Sequence, residues 1–394
     1  MNRRSCLTNL LEYLEKLTEL VDEGNCVDVI YLDFAKAFDK CSHLKLSVLL
    51  EAHGISGNVK GWIDDWLSER WQRVVLNGNA SGWLPVTSGV PQGSVLGPTL
   101  FVIFINTLDL YLADFPAFIS KFADDSKVGM CTNSDSDAEQ LQNVIDALSK
   151  WSDDLSMQFN ENKCKVMHIG KKNLNHAYSM NGSVLSVTEE EKDVGVLIEN
   201  NLKPSAQCLA AAKKANQLVG QMARSFTYRD KVNWIRLYKV YVRPHLEYAV
   251  QAWSPWLQRD IDTLEDVQRR VVRMTSGLKG TNYSEKLLEL GLWSLEDRRR
   301  RGDMIQVWKV LHGHDDVKEE TWFRRISRTG INTRLSSSPF NLELISAKLD
   351  IRKQFFSVRV ISPWNALPDI VKAAGTLNCF KNLYDNYYME NQSR

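Results

Sequence analysis

Apolar residues near the start of the chain follow first a helical and then a strand pattern. From Leu10 to about Val21 they recur at helical spacing, and Gly24 ends that pattern. The next run, VDVIYL (residues 27–32), is continuously apolar apart from one acid, which predicts a buried strand. Asp33 follows at once, so a carboxylate stands where this strand ends.

Two helices are predicted after the strand. Ser42 can cap a helix that runs to about His53, with Gly54 as its stop. Ser56 begins a second helix, whose apolar residues again recur at helical spacing.

Residues that favour turns dominate the next part of the sequence. Residues 72–76, with Asn77-Gly78 behind them, predict a strand and a tight turn. Residues 87–98 contain too many Gly and Pro for regular structure until Pro98 opens an apolar helix.

A hairpin and a long helix come next. Strands are predicted at residues 118–123 and 127–131, on either side of Asp124-Asp125. Ser136 and Glu139 form a predicted capping box for a helix. Its inward positions are Leu141, Val144, Ile145, Leu148 and Trp151.

The second half of the chain changes in character. Further strands are predicted at residues 165–169, around Asn181-Gly182 and at residues 194–198, and almost all of the chain from Pro204 to about Leu311 reads as helix. The mixture of strands, hairpins and helices predicts an α+β fold.

Composition sets limits on this picture. With 394 residues, 44% of them hydrophobic and 25% charged, the chain is globular and should form two or three packed subdomains. The 49 Lys and Arg residues balance 48 Asp and Glu residues. Any attraction to nucleic acid must therefore come from local clusters of charge.

Cysteine usage and hydropathy indicate an intracellular protein. The seven cysteines are scattered and contain no C-x-x-C pair, which favours reduced thiols over a disulfide framework or a zinc site. No apolar run approaches the roughly 20 residues that cross a bilayer, and Glu residues interrupt the start too often for a signal peptide. We expect neither export nor membrane insertion.

Three segments can carry chemistry. In YLDFAKAFD (residues 31–39), a strand delivers Asp33, and Phe38 follows five positions later; the alternative is a helix cap followed by a core phenylalanine. In FADDSK (residues 122–127), Asp124 and Asp125 repel each other unless a cation or solvent separates them. A solvated pair of turn acids is the alternative there.

The glycine-rich loop SGVPQGSVLGP (residues 88–98) lies between these two acidic segments, although by itself it could be a long turn. Oxygen ligands from two strands suit Mg²⁺, and two such ions about 3.5–4 Å apart stabilise both the attacking and the leaving oxygen of phosphoryl transfer.

Together, YLDFAKAFD, SGVPQGSVLGPTLFVIFIN and KFADDSK resemble, in order and spacing, the first three palm motifs of non-long-terminal-repeat (LINE-type) retrotransposon reverse transcriptases, especially the jockey-like branch. Residues 155–170 resemble the fourth motif and residues 193–202 the primer-gripping hairpin. The stretches RRSCLTNLL, RPHLEYAVQAWSP and SPWNALP extend the resemblance over nearly the whole chain.

The resemblance implies an RNA-directed DNA polymerase with a right-hand palm. Residues 1–26 would be a residual fingers segment, residues 27–203 the palm with interleaved fingers elements, residues 204–311 a helical thumb-like region and residues 312–394 a C-terminal tail. It implies an RNA template, a DNA primer, deoxynucleoside triphosphates and two Mg²⁺ ions. The expected location is the nucleus, the cytoplasm or both.

Roles follow from the resemblance residue by residue. Asp33 and Asp124 would ligate both metals, with Asp125 assisting. Phe38 would exclude a 2′-hydroxyl, and Gln92 and Gly93 would lie against the template and the incoming nucleotide.

Two further assignments have open alternatives. Lys163 would protonate the leaving pyrophosphate, or it is a surface lysine on a turn. Arg269, Arg270 and Arg273 would meet phosphates of the duplex and make binding salt-dependent, or they form a solvated helix face.

The chain also departs from the family pattern. Only 32 residues precede Asp33, so most of the fingers and the upstream endonuclease are expected to be missing, and Thr107 stands where the family usually has an acid. One competing hypothesis is therefore an inert element remnant that at most binds RNA or a protein partner. A palm-fold nucleotidyl cyclase is disfavoured, because FADD replaces its glycine-acid signature.

Overall fold

The computed structural model describes residues 3–278, 282–326 and 338–392. It divides into two compact units, one formed by Gly24–Glu189 and the other by Met1–Glu23 with Glu190–Arg394. All seven cysteines are free thiols.

The strands concentrate in the Gly24–Glu189 unit, as the turn signals predict. They are β1 Val27–Leu32, β2 Trp71–Gln72, β3 Val75–Leu76, β4 Asn79–Ala80, β5 Leu84–Pro85, β6 Phe118–Phe122, β7 Asp125–Cys131, β8 Lys165–Ile169, β9 Ser179–Met180, β10 Ser183–Val184 and β11 Ser186–Val187. The other unit holds the pair β12 Glu190–Asp193 and β13 Val196–Glu199.

Helices occur in both units and dominate the one that contains the C-terminal half of the chain. The helices before residue 160 are α1 Cys6–Glu23, α2 Ala37–Lys40, α3 His43–Ala52, α4 Gly57–Leu67, α5 Gly97–Ile105, α6 Leu108–Tyr111 and α7 Asp135–Leu155. Those after it are α8 Ser205–Ser225, α9 Lys231–Leu237, a π-helix Tyr238–Val242, α10 Arg243–Glu247, α11 Val250–Trp253, α12 Gln258–Met274, α13 Tyr283–Glu289, α14 Leu295–Leu311, α15 Glu319–Trp322, α16 Asp350–Lys353, α17 Phe356–Arg359, α18 Ile361–Asn365, α19 Asp369–Lys372 and α20 Leu377–Gln392.

A five-stranded sheet organises the Gly24–Glu189 unit. Its order is β11-β8-β1-β7-β6, and every neighbouring pair is antiparallel except β11 with β8. The β1–β7 ladder runs from Val27↔Cys131 to Leu32↔Ser126, and the β1–β8 ladder runs from Val27↔Ile169 to Tyr31↔Lys165. The carboxyl end of β1 therefore meets the starts of β7 and β8 at one edge.

One face of this sheet carries the core. Ile30, Leu32, Val128 and Val166 are buried with the apolar side chains of α3, α5 and α7. The inward positions predicted for α7 are all fully buried.

A buried polar network within the second, mostly helical unit ties α1 to residues near the C-terminal end of that unit. Glu15 bonds Arg352 at 2.6 Å and accepts from the hydroxyl of Ser357, and Arg352 also donates to Thr18. Although Arg352 opposes it, burial raises the pKa of the Glu15 carboxyl. The guanidinium is thus needed to make a buried carboxylate tolerable.

Most predicted elements are confirmed, and four boundaries need correction. The strand predicted at residues 194–198 begins at Val196, because the two residues before it form the turn between β12 and β13. The capping box of α7 is formed by Ser134 and Asp137, two residues before the predicted pair. The strand predicted at residues 72–76 is broken into β2 and β3. The hairpin turn is Ala123-Asp124, and Asp125 already belongs to β7. Among the described residues, no helix is long and apolar enough to cross a membrane.

Candidate active site

Asp33 occupies the sheet edge between the two neighbours of β1. The β1–β7 ladder, continued by one residue, sets Asp33 opposite Asp125. The β1–β8 ladder, continued by two residues, sets it opposite Lys163. Residues from the first, third and fourth motifs are therefore brought side by side by strand pairing alone.

The backbone of Asp33 is held by the turn that carries Lys163. Asn160 N–H donates to the Asp33 carbonyl at 2.7 Å, and the amides of Lys163 and Cys164 both donate back to the Asn160 carbonyl. The buried Cys164 sulfur accepts the Asp33 N–H at 3.4 Å and lies 3.7 Å from its carbonyl oxygen. Burial raises the pKa of the Cys164 thiol to about 11, so it stays protonated at neutral pH.

One oxygen of the Asp33 side chain lacks a hydrogen-bond partner among the described residues. Its Oδ2 is buried and accepts no hydrogen bond within the described structure, and the Lys163 ammonium lies 3.6 Å away. A buried carboxylate oxygen is costly without compensation. A cation at this position would compensate this cost.

The second acidic segment forms a tight turn next to this position. Ala123 adopts a left-handed conformation, with φ of 55°, and Asp124 completes the two-residue turn. Both Asp124 and Asp125 are exposed. The turn thus presents one carboxylate from the loop, Asp124, and one from the first residue of β7, Asp125.

These donors fit a divalent metal, although they are not gathered around one position. The set is made of carboxylate oxygens, which Mg²⁺ prefers, and Asp33 Oδ2 accepts no hydrogen bond from the described residues, although it forms an ion pair with Lys163. Within the described part of the chain, however, no group of three or more His, Cys, Asp or Glu side chains is close enough to enclose an ion.

Phe38 lies at the rim of the core. Its ring stacks on Phe101 with centroids 4.3 Å apart, and its side chain is partly buried. The backbone carbonyl of Phe38 accepts from Val90 N–H at 2.8 Å, which joins it to the glycine-rich loop. The ring can therefore serve both the core and an adjacent ligand.

The glycine-rich loop packs directly against the segment after Asp33. Gly89 has φ of 87°, and a Cβ on it would come within 2.8 Å of the backbone of Phe38 and Asp39. Gln92 donates to the Asp39 carboxylate at 3.2 Å. Gly93 has φ of 81° but no neighbour within 4 Å of a built Cβ, so only its conformation requires glycine.

Thr107, which replaces the acid expected from the family pattern, has a structural partner. It is buried on the core side, donates to the Phe104 carbonyl and accepts the indole N–H of Trp151 at 2.9 Å. The hydroxyl supplies the acceptor that a buried indole requires.

The three arginines proposed to meet phosphates differ in their surroundings. Arg269 lies 2.9 Å from Asp266 and 3.4 Å from Asp262, and Arg270 donates to Asn216 on α8. Arg273 is exposed near the end of α12. Arg269 is partly neutralised by acids of its own helix, which weakens its attraction for an anion.

A second polar cluster at β1 was not predicted. Asp28 is fully buried and accepts from His168 at 2.7 Å, Tyr178 at 2.6 Å and Asn173 at 2.7 Å. Burial by itself raises the pKa of Asp28, but these hydrogen bonds outweigh it and hold the pKa below the ordinary value. The one sequence signal was the lone acid in an otherwise apolar strand.

Comparison with known proteins gives consistent matches. The family model described as reverse transcriptase (RNA-dependent DNA polymerase) matches residues 3–218. The RNA-directed DNA polymerase from mobile element jockey of Drosophila funebris is 29% identical over 340 residues, which are 83% of this chain and 35% of that protein. Its Drosophila melanogaster counterpart is 26% identical over 258 residues, covering 63% and 28%.

Other matches are more distant. The retrovirus-related Pol polyprotein from type-1 retrotransposable element R2 of Popillia japonica is 31% identical over 105 residues, which are 27% of this chain and 17% of that protein. The structure of telomerase from Candida albicans in complex with a fragment of telomeric RNA aligns with a TM-score of 0.37 at 11% identity, over 73% of this chain and 52% of that one. The chain spans about a third of the length of the jockey relatives.

Proposed function

Because this chain belongs to the reverse transcriptase (RNA-dependent DNA polymerase) family, within its jockey-like non-long-terminal-repeat branch, we propose that it joins deoxynucleotides along an RNA template. The observation that supports this activity most is the sheet edge at Asp33. There a buried carboxylate oxygen that accepts no hydrogen bond from the described residues lies between the Lys163 turn, whose ammonium is 3.6 Å away, and the Asp124-Asp125 hairpin.

The five-stranded sheet of residues 27–187 and its helices would be the palm of a right-hand polymerase. We propose residues 27–203 as the palm with fingers elements and residues 204–311 as a thumb-like region. Residues 1–26 would then be a fingers segment and residues 312–394 a C-terminal tail. Support comes from the five-stranded, largely antiparallel sheet and from the helical character after Pro204.

Two Mg²⁺ ions are the proposed cofactors, and they would stabilise the charge that develops on the attacking and leaving oxygens. Asp33 and Asp124 would hold them, with Asp125 in an assisting position. Lys163 is carried by a turn hydrogen-bonded to the backbone of Asp33, so its ammonium is positioned to give a proton to the departing pyrophosphate.

The neighbouring elements would position the nucleotide and template. Phe38 would close the space that a 2′-hydroxyl needs, while the loop with Gln92 and Gly93 would lie against the base pair being formed. Arg273 and, more weakly, Arg269 and Arg270 would meet phosphates of the primer–template duplex. The substrates imply a location in the nucleus, the cytoplasm or both.

Primer extension by the purified chain tests this proposal. We expect Mg²⁺-dependent incorporation of dTTP on oligo(dT) annealed to poly(rA), reduced to background by Asp33→Asn or Asp124→Asn and less by Asp125→Asn. Asp114→Asn, at an exposed acid of a loop in the same unit, should extend like the unmodified chain. Undiminished extension by Asp33→Asn would contradict the assignment, and duplex binding without extension by the unmodified chain would favour an inert remnant.

A further inference from the structure

A two-stranded ribbon without a buried side projects from the Gly24–Glu189 unit. In this ribbon (residues 71–85), β2 pairs with β5 and β3 pairs with β4 around the Asn77-Gly78 turn. All of its residues are exposed, although several are large and apolar. An isolated hairpin is marginally stable in water, and exposed apolar patches of this kind mark binding surfaces.

One face of the ribbon combines indole rings with a guanidinium. Trp71 pairs with Pro85, and the register continued by two residues sets Arg73 opposite Trp83 on the same face. The Arg73 guanidinium lies 4.7 Å from the centre of the Trp83 ring. Trp71 and Trp83 remain 61% and 56% exposed, so each indole keeps open surface for a ligand even though Arg73 covers one face of Trp83.

The base of the ribbon opens into a cationic cleft of about 800 Å³. Lys36, Lys40 and Arg70 line it, and it extends from Trp71 to Gln92 on the glycine-rich loop. Among the described residues lining the cleft, Asp39 is the one acid, and it already accepts a hydrogen bond from Gln92. The cleft therefore favours an anion that also contacts the ribbon.

We propose that the ribbon and cleft form a platform for single-stranded nucleic acid, on which Trp71 and Trp83 stack unpaired bases of the RNA template and the cleft cations hold its phosphates. This inference rests on the proposed polymerase function, since it assigns a place to the template strand outside the copied duplex. Aromatic faces beside a positively charged groove are what bind single strands without sequence preference.

Charge complementarity distinguishes this ligand from a protein. Arg70 donates to the neutral carbonyls of Leu67 and Gly89, and among the described residues lining the cleft Asp39 is the one acid beside the two lysines. A protein strand added to the ribbon would bury its apolar residues but would leave these cleft cations without an anion. A polynucleotide satisfies both, because every base has a face to stack and every linkage carries a negative charge. A protein interface remains a distinct outcome of the test.

Fluorescence anisotropy with a labelled 12-nucleotide oligo(rA), in EDTA so that no metal chemistry enters, measures the platform directly. We expect Trp71→Ala and Trp83→Ala each to weaken binding by about tenfold, because one stacked base is worth of the order of a factor of ten. Trp71→Phe and Trp83→Phe keep a ring and should bind within about threefold of the unmodified chain.

Trp62→Ala is the matched control. Trp62 is 59% exposed on α4 of the same unit but lies outside the ribbon, so its loss should leave affinity unchanged. Lys40→Ala should reduce the slope of log affinity against log salt by about 0.7, the effect of one phosphate contact on a single strand. Far-UV circular dichroism checks that each variant is folded.

The outcomes separate the platform from the polymerase. Unmodified affinity in the double Trp71→Ala/Trp83→Ala variant, or no binding of oligo(rA) by the unmodified chain, overturns the platform. A double variant that loses self-association while keeping RNA affinity also overturns it and identifies a protein interface. If Asp33→Asn abolishes extension in any of these cases, the polymerase proposal stands while the platform fails. If Asp33→Asn extends undiminished while the tryptophan variants bind RNA more weakly, the platform stands and the polymerase proposal fails.

Discussion

The sulfur of Cys164 lies against the backbone of Asp33, 3.4 Å from its nitrogen and 3.7 Å from its carbonyl oxygen. A single buried thiol thus contacts both polar groups of the residue whose carboxylate is proposed to hold metal. Because the thiol contacts the backbone of Asp33, we expect it to act as a positioning group that touches neither substrate nor metal.

Removing this sulfur should loosen Asp33. We expect Cys164→Ala to leave the Asp33 N–H unsatisfied, to lower extension by roughly tenfold and to raise the Mg²⁺ concentration needed for half-maximal rate. Cys164→Ser should restore most of the Mg²⁺ response. Cys208→Ala removes an equally buried thiol from α8, in the other unit, and should leave the Mg²⁺ response unchanged; an identical response in both alanine variants would show that Cys164 is ordinary core packing.

Two glycines of one loop should differ in their tolerance of alanine. Gly93→Ala introduces only an unfavourable backbone conformation and should cost about 1–2 kcal/mol of unfolding free energy. Gly89→Ala adds a Cβ contact of 2.8 Å with the backbone of Asp39, so we expect a cost of about 2–5 kcal/mol. Urea unfolding gives both values, and equal costs would mean that the loop does not lie on the segment after Asp33.

The buried Asp28 carboxylate should make stability fall in acid. Its folded pKa is below the unfolded value of about 3.9, so its contribution is complete above that value and is lost as the pH falls through the folded pKa. Urea midpoints of the unmodified chain and Asp28→Asn should therefore stay apart above about pH 4 and converge as the pH falls below it. Asp114→Asn, at an exposed acid, should follow the unmodified chain, and a constant gap for Asp28→Asn would refute the linkage.

The buried pair of Glu15 and Arg352 calls for a double-mutant cycle. Arg352→Met leaves a buried carboxylate without its partner and should cost about 3–5 kcal/mol. Glu15→Leu combined with Arg352→Met should be less destabilising than the sum of the single changes, because no unpaired charge is left. Strict additivity in urea unfolding would contradict the coupling.

Phe38 is predicted to control sugar selection despite its contact with Phe101. Phe38→Ala should raise ribonucleotide incorporation relative to deoxynucleotide incorporation, because the ring no longer fills the space of a 2′-hydroxyl. Phe101→Leu removes the stacking partner and should lower stability without a comparable change in sugar preference. An unaltered preference in Phe38→Ala would assign the ring to the core.

Local patterns gave the elements wherever a single periodicity dominates. The continuous apolar runs predicted the bounds of β1 and β8, and the helical spacing predicted which side chains of α7 are buried. The capping box was misplaced because NSDSDAE contains two overlapping frames. The structure selects Ser134, since the preceding Asn133 is anchored by the backbone of Cys26.

Contacts between distant segments could not be read in this way. The motifs located Asp33, Asp124 and Lys163, but nothing in the pattern around Cys164 indicated a partner 131 residues earlier in the chain. The exposure of the ribbon tryptophans could not be predicted either, because an indole in a short strand normally predicts a core position.

The contact between Glu15 and Arg352 joins residues 337 positions apart, and this sets an order of events during synthesis. At about 5–20 residues per second, a ribosome needs roughly 20–70 s to travel from one to the other. Helix α1 is therefore synthesised long before Arg352, and in that interval Glu15 lacks its ion-pair partner. During the same interval the contiguous Gly24–Glu189 unit can already collapse. Nascent chains stalled before Arg352 should contain a protease-resistant middle and a sensitive amino-terminal helix.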